Sequence, residues 1–343
     1  MEKIDLSSLT YPQLTEAVQS FGLPSFRAGQ IYRWLARGVQ SFGEMSDLSK
    51  DLRSKLEEQC TIASVSEATC SLSSDGTKKY LFRLADGNHI ETVLMRYEHG
   101  NSVCISSQVG CNMGCRFCAS TLKGKVRNLT AGEMFAQIAY INRTDPVSHV
   151  VVMGVGEPLD NYDHLVTFLR NLTSPQGFGM SQRHVSISTC GLVPKIDRLA
   201  EENLQITLSV SLHAPDNETR DLIMPVNRTY PVEELLAACD RYVAATGRRI
   251  SYEYIMINGV NDTPKHANLL AKRLRGKLAH VNLIPMNRVE EREFQPSTPD
   301  RIRRFTSILA EQGINATCRR KLGKDIDASC GQLRARFEKE QNR

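Results

Sequence analysis

Three cysteines stand in one short loop, Cys111-Asn-Met-Gly-Cys115-Arg-Phe-Cys118. Thiolates spaced like this do metal chemistry. A structural zinc site closes with four ligands, and no histidine lies nearby to supply the fourth. A [4Fe–4S] cluster offers four irons. Three thiolates would anchor three of them and leave the last open to a ligand. The Cys-x3-Cys-x2-Cys spacing lets one loop wrap three corners of a cube. Cys111, Cys115 and Cys118 are therefore read as cluster ligands, and the cluster as catalytic. A zinc site or three unrelated core cysteines are the weaker readings.

The chain carries ten cysteines in 343 residues. A secreted disulfide framework goes with a short chain and a leader. The N-terminal MEKIDLSSLT has acidic residues and no apolar run, so no signal peptide is expected. Stretches such as HVVVMGVG are too short to span a bilayer. A reducing cytoplasm, no membrane and a monomer are expected. Isolated cysteines such as Cys60 and Cys239 read as small core residues, and Cys190 and Cys318 as structural. With 41% apolar and 24% charged residues the composition is ordinary for a globular protein. The net charge of +5 permits a nucleic-acid partner without demanding one.

Hydrophobic periodicity indicates which elements hold these thiols. In residues 1–60, Leu14, Val18 and Phe21 recur at helical spacing. A second segment carries Phe26, Ile31, Trp34 and Leu35, and a third, rich in charge, runs near Leu48 to Leu56. Then the period becomes two. Tyr80, Phe82 and Leu84 alternate, Asp86-Gly87 signals a turn, and Ile90 to Met95 alternate again, predicting a β-hairpin. Further strands are predicted at 102–108, 148–154, 183–189, 205–213, 250–257 and 280–286. Helices are predicted at about 130–142, 161–171, 193–201, 232–245, 264–275 and 298–312. Thr130 followed by Glu133 has the form of a capping box. Six βα units predict an α/β fold, with a parallel sheet curled into a partial (β/α)6 barrel. The chain divides into a helical accessory module at 1–60, suited to docking a partner, and a β-hairpin linking element at 61–100. The barrel follows at 101–320 and a C-terminal segment at 321–343.

In a barrel of βα units the chemistry sits at the C-terminal ends of the strands. Here those ends read Gln108-Val109-Gly110, Gly154-Val155-Gly156-Glu157-Pro158, Ser188-Thr189, Ser211-Leu212-His213 and Pro285-Met286-Asn287. Polar residues and glycines gather at each end while the strand bodies are apolar. A purely structural sheet would not need this at every end.

The cysteine loop in this setting resembles the radical S-adenosylmethionine (SAM) superfamily, whose members carry Cys-x3-Cys-x2-Cys after the first strand of a partial (β/α)6 barrel. Further stretches narrow the likeness. They are IETV (90–93), CISSQVGCNMGCRFCAS (104–120), VRNLTAGE (126–133), MGVGEPLDNYD (153–163), SLHAPDNETRDLIMPVN (211–227), HVNLIPMN (280–287) and DIDASCGQLRA (325–335). Together they resemble the dual-specificity rRNA/tRNA adenine-C2 methyltransferases, the RlmN family, over nearly the whole chain. The resemblance implies methylation of carbon 2 of an adenosine in 23S rRNA and in tRNA. It implies a [4Fe–4S] cluster, two SAM molecules per turnover, and an external electron donor such as flavodoxin or ferredoxin. It also implies roles for individual residues. Cys330 would carry the methyl group, Cys104 would resolve the protein–RNA adduct, and Glu91 would accept the ring proton. Gly156, Glu157, Ser188, Ser211, Leu212, His213 and Asn287 would contact SAM. The chemistry suits the target: the carbon between two ring nitrogens of adenine is electron-poor, so polar methyl transfer fails where a carbon radical can add.

Plainer readings stand beside these. Cys104 alternates within a strand and alone would be core. Glu91 alone would be a solvated hairpin carboxylate, but it shares a strand face with Val93 and Met95. Apolar surroundings there are expected to raise its pKa toward a value useful for proton transfer. For His213, either the backbone or the ring could make the contact. Basic residues cluster at Arg248-Arg249, Lys272-Arg273-Arg275-Lys277, Arg301-Arg303-Arg304 and Arg319-Arg320-Lys321. Singly each reads as a solvated helix face; together they could meet RNA phosphates. Tyr32 and Trp34 read as core rather than as bases' stacking partners. Three rivals stay open: methylation of adenine carbon 8, another radical SAM activity, and an RNA-binding protein with a structural metal site and no chemistry.

Overall fold

The computed structural model describes residues 3–289, 291–320, 322, 323, 325, 326 and 333. Cys330 and Lys321 lie outside the described residues.

Two short parallel strands, β1 (Ile4–Asp5) and β2 (Cys60–Thr61), tie off the N-terminal segment around helices α1 (Tyr11–Ser20), α2 (Phe26–Ala36) and α3 (Lys50–Gln59). Leu14 and Val18, Ile31 and Leu35, and Leu52 and Leu56 lie four apart on their helices, so each pair shares one face. These faces close on each other in a core of their own. Phe26 opens α2 off that stripe and stays 60% exposed. Tyr32 is buried, and its hydroxyl donates to Asn171 Oδ1 at 3.1 Å. The Trp34 indole N–H donates to Asp47. Both aromatics serve packing.

Strands β3 (Ser66–Leu72), β4 (Lys78–Arg83), β5 (His89–Tyr97) and β6 (Gly100–Cys104) then run antiparallel, each to the next. The turn at Asp86-Gly87 joins β4 to β5. The sequence gives no sign of β3, because it is an edge strand whose side chains are mostly exposed. The strands past β6 are β7 (Gln108–Gly110), β8 (Lys125–Asn128), β9 (Val147–Val152), β10 (Val185–Thr189), β11 (Thr207–Ser211), β12 (Ile250–Met256), β13 (Ala279–Pro285) and β14 (Ala316–Cys318). The helices between them are α4 (Ala131–Asn142), α5 (Tyr162–Thr173), α6 (Val193–Glu201), α7 (Asn217–Ile223), α8 (Val232–Thr246), α9 (Pro264–Leu274) and α10 (Pro299–Glu311).

One ten-stranded sheet results, in the order β14-β13-β12-β11-β10-β9-β6-β5-β4-β3, parallel from β6 to β14. The hairpin element is thus continuous with the barrel wall. Within β9, Val150 and Val152 pack outward into the main core against the helices, whereas Val151 faces inward with Val93, Met95 and Cys104. That alternation gives the sheet an inside. The strand expected at 102–108 is divided: β6 stops at Cys104, and Gln108 opens β7, which pairs with β8. The Thr130–Glu133 capping box forms at the start of α4, with Glu133 N–H donating to Thr130 Oγ1 at 3.1 Å and Thr130 N–H to Glu133 Oε2 at 3.0 Å.

Candidate active site

The strand ends converge on a cavity of ≈ 350 Å³. Its wall includes Cys104, the three loop cysteines, Gly156, Glu157, Ser188, Ser211, His213 and Asn287. Residues spread over 184 positions of chain thus meet because six strands end at one rim.

The β7–β8 ribbon clamps the cysteine loop. Cys111 N–H donates to the Gly124 carbonyl at 3.2 Å and Lys125 N–H to Asn112 Oδ1 at 2.7 Å. Gly110 is required here: its φ is +83°, and a β-carbon would stand 1.9 Å from the Gly124 oxygen. On the other side, Arg116 N–H donates to the Ile223 carbonyl at 2.9 Å. The Thr121 hydroxyl donates to the Cys115 and Cys118 carbonyls at 3.2 and 3.0 Å, and Arg292 Nη2 donates to Thr121 Oγ1 at 2.9 Å. Burial pushes the Cys111 thiol up to about 12 and Cys115 well above its usual value, with neighbouring thiols adding to both. Such thiols ligate only as thiolates, and ionising three together needs compensating positive charge. An iron–sulfur cluster brings that charge, so the donor set fits one. Among the described residues, no three Cys, His, Asp or Glu side chains converge closely enough to hold a single ion. A cluster does not require that, because each thiolate binds a different iron.

The β9 end is built on Gln108. Its Oε1 accepts Glu157 N–H at 2.8 Å, and its Nε2 donates to Asn128 Oδ1 and Asp160 Oδ2, both at 2.8 Å. Gly156 fits against it at φ +112°, where a β-carbon would lie 2.6 Å from Gln108 Cβ. The Glu157 carboxylate is buried and accepts Leu159 N–H at 3.0 Å and Cys190 N–H at 2.7 Å. Burial raises its pKa, against the pull of these hydrogen bonds.

His213 sits in the left-handed region at φ +58°. Its Nδ1 accepts Ile255 N–H at 3.1 Å, which leaves the proton on Nε2, and Phe117 meets its ring edge-on with centroids 5.0 Å apart. Burial and the nearby Arg220 cation hold its pKa down to about 3, so the ring is neutral. The Leu212 side chain is fully buried in the main core, its N–H donating to the Glu253 carbonyl at 3.1 Å and its own carbonyl accepting from Arg220 Nε at 3.0 Å.

Cys104 is paired with Val93 across β6 and β5 and is 6% exposed, on the cavity wall with Val93 and Met95. Glu91 lies two residues from Val93 on the same face of β5. Its surroundings are not the apolar ones that the strand pattern suggests: Lys79 Nζ faces its carboxylate at 3.1 Å, with both side chains buried. The carbonyl of Glu91 accepts the Ser106 hydroxyl at 2.6 Å. Ser106 is in turn held by Gln137, whose Oε1 accepts Ser106 N–H at 2.9 Å and the Thr92 hydroxyl at 2.8 Å.

Four residues with a place at the site escape sequence reasoning. Lys79 alternates with Tyr80 in a strand and looks like any exposed lysine. Glu253 lies on the cavity wall, its pKa raised by burial, with Asn282 Nδ2 donating to it at 2.7 Å and Ser251 Oγ at 3.1 Å. A carboxylate at the centre of the apolar strand ISYEYIMI was the available signal. Arg220 is fully buried and caps three strand-end carbonyls: Cys190 at 2.7 Å, Ser211 at 3.1 Å and Leu212 at 3.0 Å. Cys190, read from sequence as structural, lines the cavity. Of the basic clusters, Arg319 and Arg320 reach the cavity wall. Arg273, Lys277, Arg301 and Arg303 instead pair with Glu233, Asp240, Asp262 and Asp300.

Comparison with known proteins agrees with this architecture. Residues 105–270 match the radical SAM superfamily, and residues 4–62 match the ribosomal RNA large subunit methyltransferase N-terminal domain. A probable dual-specificity RNA methyltransferase RlmN of Lachnoclostridium phytofermentans is 52% identical over 98% of this chain and 96% of its own length. One from Desulforamulus reducens is 48% identical over 98% and 97%. The crystal structure of a radical SAM methyltransferase from Sphaerobacter thermophilus superposes with a TM-score of 0.92 at 45% identity, covering 96% of this chain and 98% of that one. Membership of this superfamily implies a [4Fe–4S] cluster and SAM. The chain is a radical SAM enzyme and belongs to the RlmN family of RNA methyltransferases.

Proposed function

We propose that the enzyme methylates carbon 2 of an adenosine in 23S rRNA and in tRNA, through a methylated cysteine and a covalent protein–RNA adduct. Its relatives' names, dual-specificity RNA methyltransferases, support two RNA substrates. The observation that carries the mechanism is Cys104, a thiol outside the triad on the wall of the triad's own cavity.

Cys111, Cys115 and Cys118 would hold the cluster, while Gly156, Glu157, Ser188, Ser211, His213 and Asn287 line the space for SAM. When bound, cluster and SAM supply a 5′-deoxyadenosyl radical, at the expense of one electron from an external donor such as flavodoxin or ferredoxin. The Cys330 thiolate first takes a methyl group from one SAM: its sulfur–carbon bond forms as SAM's breaks, and S-adenosylhomocysteine leaves. The S-methyl group then gives up a hydrogen atom to the radical made from a second SAM, and the methylene so formed adds to the base. Glu91 takes the ring proton as the adduct gives up its odd electron, for which the cluster would be the acceptor, leaving a closed-shell thioether. The Cys104 thiolate attacks the Cys330 sulfur; the methylene carbon leaves and takes up a proton to become the methyl group, and a disulfide remains to be reduced by two electrons. Arg319 and Arg320 at the cavity wall are suited to RNA phosphates. The target base must leave its stack to enter the cavity.

Mass spectrometry of nucleosides from rRNA and tRNA treated with reconstituted enzyme tests the assignment. 2-Methyladenosine on both is expected, and 8-methyladenosine would overturn it. Cys330→Ala should abolish methylation, whereas Cys104→Ala should trap a covalent RNA adduct. Full turnover by Cys330→Ala would refute the carrier role.

A further inference from the structure

The turn between β3 and β4, Ser73-Ser74-Asp75-Gly76-Thr77, is well formed in itself. Ser73 N–H donates to the Thr77 carbonyl at 2.8 Å, and Thr77 N–H donates to Asp75 Oδ1 at 3.0 Å. Gly76 takes φ +82° to close it. The sequence offers no function for it. Yet it grips a part of the chain some 250 residues away. Asp75 Oδ2 accepts Gly323 N–H at 2.8 Å. Reciprocally, the Ser73 hydroxyl donates to Asp325 Oδ1, and Ser74 N–H donates to Asp325 Oδ2 at 3.0 Å. Each strand of the contact thus gives a carboxylate to the other's backbone. Charge-assisted bonds of this kind are the stronger ones. Leu322, next to the grip, sits against Val93, Met95 and Cys104 and lines the cavity.

We propose that this turn is a clasp that positions the chain leading to Cys330, with Ser73 and Asp75 as positioning residues for the chemistry at that thiol. The inference rests on Cys330 being the methyl carrier. Cys330 follows Asp325 by five residues, and an extended chain gains at most ~3.5 Å per residue, so the tether that leaves the clasp at Asp325 can reach at most about 17 Å by Cys330. Upstream, Leu322 is held by packing alone, and the nearest hydrogen-bonded anchor among the described residues outside the clasp is the strand pairing of Cys318 with Leu283 and the bond from Arg319 N–H to the Leu283 carbonyl at 2.8 Å. Opening the clasp lengthens the leash from five residues to as many as eleven, counted from Arg319. Effective concentration falls roughly as the −3/2 power of tether length, so chain entropy alone predicts about a threefold loss.

The test uses reconstituted full-length enzyme, wild type against Ser73→Ala/Asp75→Ala. Hydrogen exchange is followed on peptides covering residues 319–326. The rate of single-turnover methyl transfer from SAM to Cys330 is read from the mass of the peptide that contains it. Iron content serves as the control for folding. The clasp predicts faster exchange, methyl transfer slowed by about two- to threefold, unchanged iron content, and recovery of both with Asp75→Asn alone, whose amide oxygen still accepts Gly323 N–H. Unchanged exchange, or faster exchange with an unchanged transfer rate, would overturn it. If Cys330 of the wild type takes no methyl group at all, the carrier reading fails and the clasp's role falls with it; a methylated Cys330 with equal rates in wild type and variant defeats the clasp alone.

Discussion

His213 offers a quantitative test of how the strand ends are built. Its ring is neutral because it is buried beside the Arg220 cation, which holds its pKa down to about 3 from an ordinary 6.5. In the unfolded chain the ring protonates freely as pH falls below 6.5. The folded protein binds fewer protons than the unfolded one throughout that window. Stability due to His213 is therefore complete above 6.5 and is lost progressively as pH falls from there toward about 3. At about pH 5.5, one unit below the unfolded value, the loss is about 1.4 kcal/mol. The perturbation is His213→Asn. Asparagine tolerates φ +58° better than most residues, and its side-chain oxygen can accept the Ile255 N–H that Nδ1 now accepts. It does not titrate. Urea unfolding of both proteins without cluster, at about pH 7.5 and about pH 5.5, should show the wild type losing about 1.4 kcal/mol more than the variant. Glu157 and Glu253, whose pKa values burial raises, act with the opposite sign, but they are present in both proteins and cancel. Losses that agree within ~0.5 kcal/mol would refute the buried neutral ring.

Three further outcomes follow from the geometry. Gly156→Ala should cost about 2–4 kcal/mol, since it combines a strained φ with a β-carbon driven into Gln108; thermal unfolding measures this, and equilibrium dialysis should show SAM binding lost. Lys79→Met leaves the Glu91 carboxylate buried without its cation and should cost about 3–5 kcal/mol in chemical denaturation, while adding Glu91→Leu recovers most of it. Gln137→Leu strands the Thr92 hydroxyl and the Ser106 N–H, each worth about 1–3 kcal/mol when left buried and unpaired; a loss under about 1 kcal/mol in urea would mean that this hub does not hold Ser106 against Glu91.

The cluster loop was legible in the sequence because its chemistry is local: three thiols within eight residues, punctuated by Gly110 and Gly114, need little else to be recognised. The barrel was legible too, since runs such as Ile250–Met256 and Ala279–Pro285 carry their burial in their own period. What the sequence could not determine is which side chains meet across the sheet. Lys79 diagonally across β4 and β5 from Glu91, Arg220 on three carbonyls, and the turn at Asp75 holding Gly323 join residues between 8 and 248 positions apart. Their partners depend on strand register and on which face each residue turns inward. A one-residue slip in register would exchange the two faces. Leu212 shows the same limit at shorter range, for it stands between two cavity residues yet its side chain is buried in the main core. Local spacing named the thiols and the strands, and only the packed sheet decided what surrounds each of them.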